Sequence, residues 1–87
     1  MKIKEGFVLR EIAGEYVVIA LGSASLIFNG MIKLNESGCL IWKKLCDGCE
    51  KEELIETVLA EYDVPRQTVE ADVDRVLDLL KGANILE

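Results

Sequence analysis

Leu34-Asn35-Glu36-Ser37-Gly38-Cys39-Leu40-Ile41-Trp42-Lys43-Lys44-Leu45-Cys46-Asp47-Gly48 is the stretch on which the fold turns. Before it the chain reads as short strands, and after it as helices. Asn35 follows the strand-like Met31-Ile32-Lys33-Leu34 and stands where a helix N-cap belongs. Its side-chain oxygen suits a free N–H of the first turn, and Glu36 places a negative charge at the positive end of the helix dipole. At 100° per residue, Gly38, Ile41, Trp42, Leu45 and Cys46 share one face, while Lys43 and Lys44 point away. Asp47-Gly48 supplies the glycine that helices favour just past their C-terminus.

Working back from this helix, Asn29-Gly30 separates Leu26-Ile27-Phe28 from Met31–Leu34, the strongest short signal for a hairpin. In the third strand, Ile32 and Leu34 are expected inward, with Met31 and Lys33 outward. Gly22-Ser23-Ala24-Ser25 is a polar connector without the pattern of a phosphate-binding loop. Further back, Phe7–Ile12 and Tyr16–Leu21 are rich in β-branched and aromatic residues and flank Ala13-Gly14, which predicts an antiparallel hairpin. The second run is apolar on both alternating sets, Tyr16, Val18 and Ala20 against Val17, Ile19 and Leu21. Either both faces of the sheet are covered or one awaits a partner.

Forward of the first helix, Leu54, Ile55, Val58, Leu59 and Tyr62 mark the buried stripe of a second helix over Lys51–Tyr62. Pro65 ends it and opens the next. Val69, Val73, Val76, Leu77 and Leu80 give the third helix its stripe, with Gly82 as its expected stop. Ala83–Leu86 then suit a short extended tail packed back on the core. The predicted class is α+β, winged-helix-like: a three-stranded antiparallel sheet followed by a three-helix bundle in a single domain spanning residues 1–87.

Composition narrows the function. The 87 residues are 51% hydrophobic and carry a net charge of −6, which disfavours nucleic acid and anionic membranes. No apolar run approaches the roughly 20 residues of a membrane span, and no signal peptide is evident. Three cysteines argue against a disulfide framework and for a reducing cytoplasm. There is no histidine, and no nucleophile–base pair, metal set or cofactor loop, so neither catalysis nor a cofactor is indicated. Cys46-Asp47-Gly48-Cys49 together with Cys39 falls short of four zinc ligands, and buried packing is the expected role of these thiols.

Phe28-Asn29-Gly30-Met31-Ile32-Lys33-Leu34-Asn35-Glu36-Ser37-Gly38, with Ile41-Trp42 and Leu45-Cys46-Asp47-Gly48, resembles the PqqD-like family. Glu53-Leu54, Tyr62-Asp63-Val64, Asp72-Val73, Leu77, Leu80 and Gly82–Glu87 continue the likeness. These are small peptide-binding proteins of pyrroloquinoline quinone biosynthesis and related peptide-modification pathways. The resemblance implies a non-catalytic module that binds the leader of a ribosomally made precursor peptide and presents it to a modifying enzyme, often a radical S-adenosylmethionine enzyme. It also implies that the leader adds as an extra strand beside the third strand, in a groove walled by the third helix. Carried onto this chain, the strand is Met31, Ile32, Lys33 and Leu34. The helical wheel adds Asp72, Arg75, Val76 and Leu79 as the expected wall.

Two other readings compete. A DNA-binding winged helix has the same element order, but its third helix would present Glu70, Asp72, Asp74 and Asp78 to phosphate. An exposed strand edge and a two-sided apolar strand also allow self-association as a homodimer.

Overall fold

A computed structural model describes residues 1–22, 24 and 31–87. Within them, β1 (Phe7–Ile12), β2 (Glu15–Ala20) and β3 (Ile32–Leu34) precede α1 (Glu36–Asp47), α2 (Lys51–Glu61) and α3 (Arg66–Gly82). The sheet is antiparallel in the order β1-β2-β3. The class is therefore the expected α+β. The Asn29-Gly30 hairpin lies outside the described residues.

The β1–β2 register pairs Ile12 with Glu15, so Ala13 and Gly14 form a two-residue turn. Both have positive φ, 54° and 81°, as a type I′ turn demands. Alanine pays a steric cost in this region that asparagine and glycine largely escape. Ala13→Asn is therefore expected to stabilise the protein by about 0.5–1 kcal/mol, read as a higher urea midpoint at unchanged slope. An unchanged or lower midpoint would reject the turn geometry.

One side of β2 feeds the core. Val18 is fully buried, with Tyr16 packed at the margin, and their β3 partners Ile32 and Leu34 are buried beside them. The alternate residue Val17 is also buried but stands apart from this core, flanked across the sheet by Arg10 and Lys33. The outward set is only partly covered, for Ile19 is half-buried and Leu21 is exposed. The N-terminal segment does not lie over that face. Its Ile3 bridges Leu86 instead, and the Ile3 N–H donates to the Leu45 carbonyl at 3.3 Å.

The α1 start follows the expected cap. Asn35 Oδ1 accepts from the Gly38 N–H at 2.9 Å. A Cβ at residue 38 would stand 3.1 Å from that same oxygen and 3.2 Å from Leu34 Cβ. The Asn-x-x-Gly spacing thus lets strand, cap and helix close without a clash. Gly48, with φ of 86°, returns its N–H to the Leu45 carbonyl at the other end. The buried face of α1 differs from the wheel in one respect. Cys39 is buried and Cys46, two turns on and nearly in line with it, is exposed. Cys39 shares its surroundings with Tyr16 from the sheet and with Tyr62 just past the end of α2. The wheel gives direction only, and neighbouring elements decide which turns are covered.

The second helix begins with Glu53 accepting from the Glu50 N–H at 3.1 Å, half of a capping box. Leu54, Ile55 and Val58 are buried, and Leu59 and Tyr62 lie at the core margin. Arg66 ties α3 to α2 through Glu56 at 3.0 Å and through Glu52. Lys51 pairs with Asp74 at 2.5 Å. All these groups are largely solvated, so they orient the helices more than they stabilise them.

The stop of α3 is not the expected one. Gly82 remains inside the last turn, and the left-handed residue is Asn84, with φ of 60°. Asparagine tolerates that region, so the helix runs one residue further before reversing. The tail then packs back as expected, with Ile85 fully buried and Leu86 nearly so.

Candidate functional site

Sheet order leaves β3 at one edge, and among the described residues no strand pairs with its outer side. β1 forms the opposite edge, and its second half is exposed. Beside β3 the surface is concave. A hollow of about 830 Å³ is lined by Tyr16, Lys33, Leu34, Asn35, Asp72 and Arg75, among others. It lies where the end of β3, the start of α1 and the middle of α3 approach one another.

The eight expected site residues separate into three groups. Lys33, Leu34, Asp72 and Arg75 line this hollow together. Met31 and Leu79 are exposed, at 65% and 40%, outside its lining. Ile32 and Val76 are buried members of the core, so they support the site from beneath. The inward alternation of Ile32 was legible in the strand pattern. Val76 belongs to the buried stripe of α3, as its periodicity implied, and does not line the hollow. Burial of Ile32 also means that proline there would test folding as much as binding.

Sequence reasoning missed the connection at the centre. Asp72 Oδ2 accepts from the Ser37 hydroxyl at 2.7 Å, and its Oδ1 accepts from Arg75 at 2.7 Å. Ser37 lies 3.1 Å from Asn35 Oδ1. The cap of α1 is thereby joined to α3 by a chain of side chains. Ser37 and Asp72 are 35 positions apart, so no local pattern announces the pair. Burial favours the neutral form of Asp72, but the bonds from Arg75 and Ser37 outweigh it and hold the carboxyl below its ordinary value. The ion pair therefore stabilises the fold above the ordinary carboxylate range and is lost as pH falls through the lowered value. Wild type should exceed Asp72→Asn in stability by about 1 kcal/mol near neutrality. That gap should close as pH falls from about 5 towards 2 in denaturant titrations. A gap independent of pH would assign it to packing.

A second hollow, of about 650 Å³, opens on the other side of this bridge, between the start of α1 and the facing ends of α2 and α3. Asn35, Glu36, Asp72 and Arg75 belong to the rims of both. Burial first, then Glu36 and Glu61, push the Tyr62 hydroxyl up, so it stays neutral there. Burial likewise raises all three thiols, assisted at Cys46 by Asp47 and at Cys49 by Glu53. Raised thiols are poor nucleophiles at neutral pH. Among the described residues, no three potential metal ligands converge, and no helix is long and apolar enough to cross a membrane.

Three antiparallel strands leading into three helices, with an open edge strand beside a helical hollow, define a small α+β domain of a recognisable kind. The chain belongs to the PqqD family: the family model described as coenzyme PQQ synthesis protein D (PqqD) matches residues 15–86. The structure is similar to that of TbiB1 in complex with the TbiA(beta) leader peptide, at 33% identity and a TM-score of 0.76, covering 100% of this chain and 95% of that one. It also resembles lasso peptide synthetase B1 complexed with the leader peptide, at 20% identity and a TM-score of 0.72. That match covers 97% of this chain and 93% of the other, and it speaks to the fold alone. No curated protein matches the chain.

Proposed function

We propose that this chain is a non-catalytic, single-domain module of the cytoplasm that binds the leader of a ribosomally made precursor peptide. The leader adds as a fourth strand at β3, and the module presents it to a modifying enzyme. The observation that carries this reading is the open outer edge of β3 beside the hollow that Lys33, Leu34, Asp72 and Arg75 line. Unpaired backbone groups supply affinity in strand addition, and pockets for alternate side chains supply selectivity. The likeness to TbiB1, solved with a leader peptide, supports the same use of the fold. The DNA reading gains nothing, because Glu70, Asp74 and Asp78 remain on α3 and repel phosphate.

The test is an amide-resolved NMR titration with the TbiA(beta) leader and with leader segments of short peptides encoded beside this gene. Saturable shifts at Lys33, Leu34, Asp72 and Arg75 are the expected result. Saturable shifts confined to other elements would retain peptide binding and reject strand addition at β3. Silence towards all the peptides would reject leader binding.

A further inference from the structure

A cleft to which α3 contributes nothing opens between β2, one side of α1 and the end of α2. Its volume is about 210 Å³. Tyr16, Glu36, Leu40, Lys43, Glu61 and Tyr62 line it, together with the buried Cys39. Two phenol rings and two carboxylates thus share one small opening. Among the described residues, neither Glu36 nor Glu61 belongs to an ion pair, whereas Lys33, Lys51, Arg66 and Arg75 are each committed to a carboxylate elsewhere. Lys43 is the only cation of the lining, so negative charge is in excess there. The titrating groups register the same imbalance. Burial first, then Glu36 and Glu61, hold the proton on Tyr62. Burial also raises the Cys39 thiol, and Glu11 and Glu36 add to it against Lys43.

We propose that this cleft seats a lysine or arginine side chain of the leader. The inference rests on the leader-binding reading and adds a charge that the guest must carry. The small volume suits one long side chain. Aromatic rings attract a cation through their quadrupole, and carboxylates pair with it directly, so the wall chemistry selects a cation. A neutral apolar side chain would strip water from Glu36 and Glu61 and return nothing. Tyr16 and Glu36 line both this cleft and the hollow beside β3, so the two surfaces are continuous. A net charge of −6 also draws a cationic peptide in from a distance.

The first probe is independent of any leader. It is Nα-acetyl-arginine methylamide, with the citrulline analogue, of the same shape without the charge, as its control. In amide-resolved NMR titrations the arginine probe is expected to give saturable shifts at Tyr16, Leu40 and Tyr62, and the citrulline probe none. Glu61→Lys should abolish those shifts. Asp78→Lys, an equal change of charge at an exposed position outside the cleft, should keep them. Glu61 is itself exposed, and Glu61→Gln provides a second variant if Glu61→Lys melts early. Silence towards the arginine probe, equal shifts from both probes, or shifts that survive Glu61→Lys would each overturn the cation site.

Calorimetry then compares whichever leader wild type binds, the TbiA(beta) leader being the first used, with the same leader carrying glutamine for every lysine and arginine. Wild type and Asp78→Lys should prefer the intact leader by about fivefold or more. Glu61→Lys should bind the two within about twofold of each other, the signature of a direct coupling. A leader that binds wild type equally well without cations would overturn the inference and leave leader binding at β3 standing. Failure of wild type to bind any leader would remove both.

Discussion

Deletion of Ile85–Glu87 is expected to lower stability by about 4–6 kcal/mol. Ile85 is fully buried and Leu86 is 9% exposed, and burial of each such side chain contributes roughly 1.5–3 kcal/mol. Backbone bonds are lost as well. The Lys4 N–H donates to the Ile85 carbonyl at 2.8 Å, and the Glu87 N–H donates to the Lys2 carbonyl at 2.9 Å. Without the tail, Ile3 loses its bridging partner Leu86, and the N-terminal segment loses one of its two supports. A domain of this size has only about 5–10 kcal/mol to lose. Urea unfolding followed by circular dichroism should therefore show a truncated chain that is largely unfolded at room temperature or nearly so. A loss below about 1 kcal/mol would mean that the tail merely rests on the surface.

Trp42→Ala is the second large effect, at about 3–5 kcal/mol. Trp42 is 3% exposed in the core that joins the sheet to all three helices, and no side chain nearby can fill the space it leaves. The replacement should lower the urea midpoint and loosen the anchoring of α1, the helix that carries Ser37 and is capped by Asn35. Leader affinity measured at low temperature, where the variant remains folded, should fall far less than stability does. Equal losses in a folded variant would place Trp42 at the peptide interface. Since Trp42 is the sole tryptophan, its fluorescence in wild type follows unfolding of this junction directly.

The two large effects fall on core residues, whereas Lys33, Asp72 and Arg75 at the candidate site are partly or largely solvated, so their replacement is expected to cost the fold little. That division makes binding and folding separable by experiment. Asp72 is the meeting point, bonded to Ser37 on α1 and to Arg75 on its own helix. It borders both hollows. Replacing it should change affinity more than stability.

Much of the fold was legible because the forces that set it are local. The β-branched and aromatic run over Phe7–Ile12, the 3.6-residue stripes from Leu54 and Val69, the Asn35 cap and the Gly48 stop each involve residues within a turn or two. A short window of sequence contains them whole. The edge position of β3 was implied by element order and family likeness together. By itself, then, the amino-acid sequence determined the elements, their order, the inward faces and the acidic character that disfavours phosphate. Tertiary structure alone decided that Cys39 is covered while Cys46 is not, and that Asn84 rather than Gly82 reverses the chain. It also brought Ser37 to Asp72, leaving an apolar hollow beyond their bridge. The reason is that desolvation depends on which distant elements cover a side chain, and periodicity specifies direction without naming the neighbour that lies there.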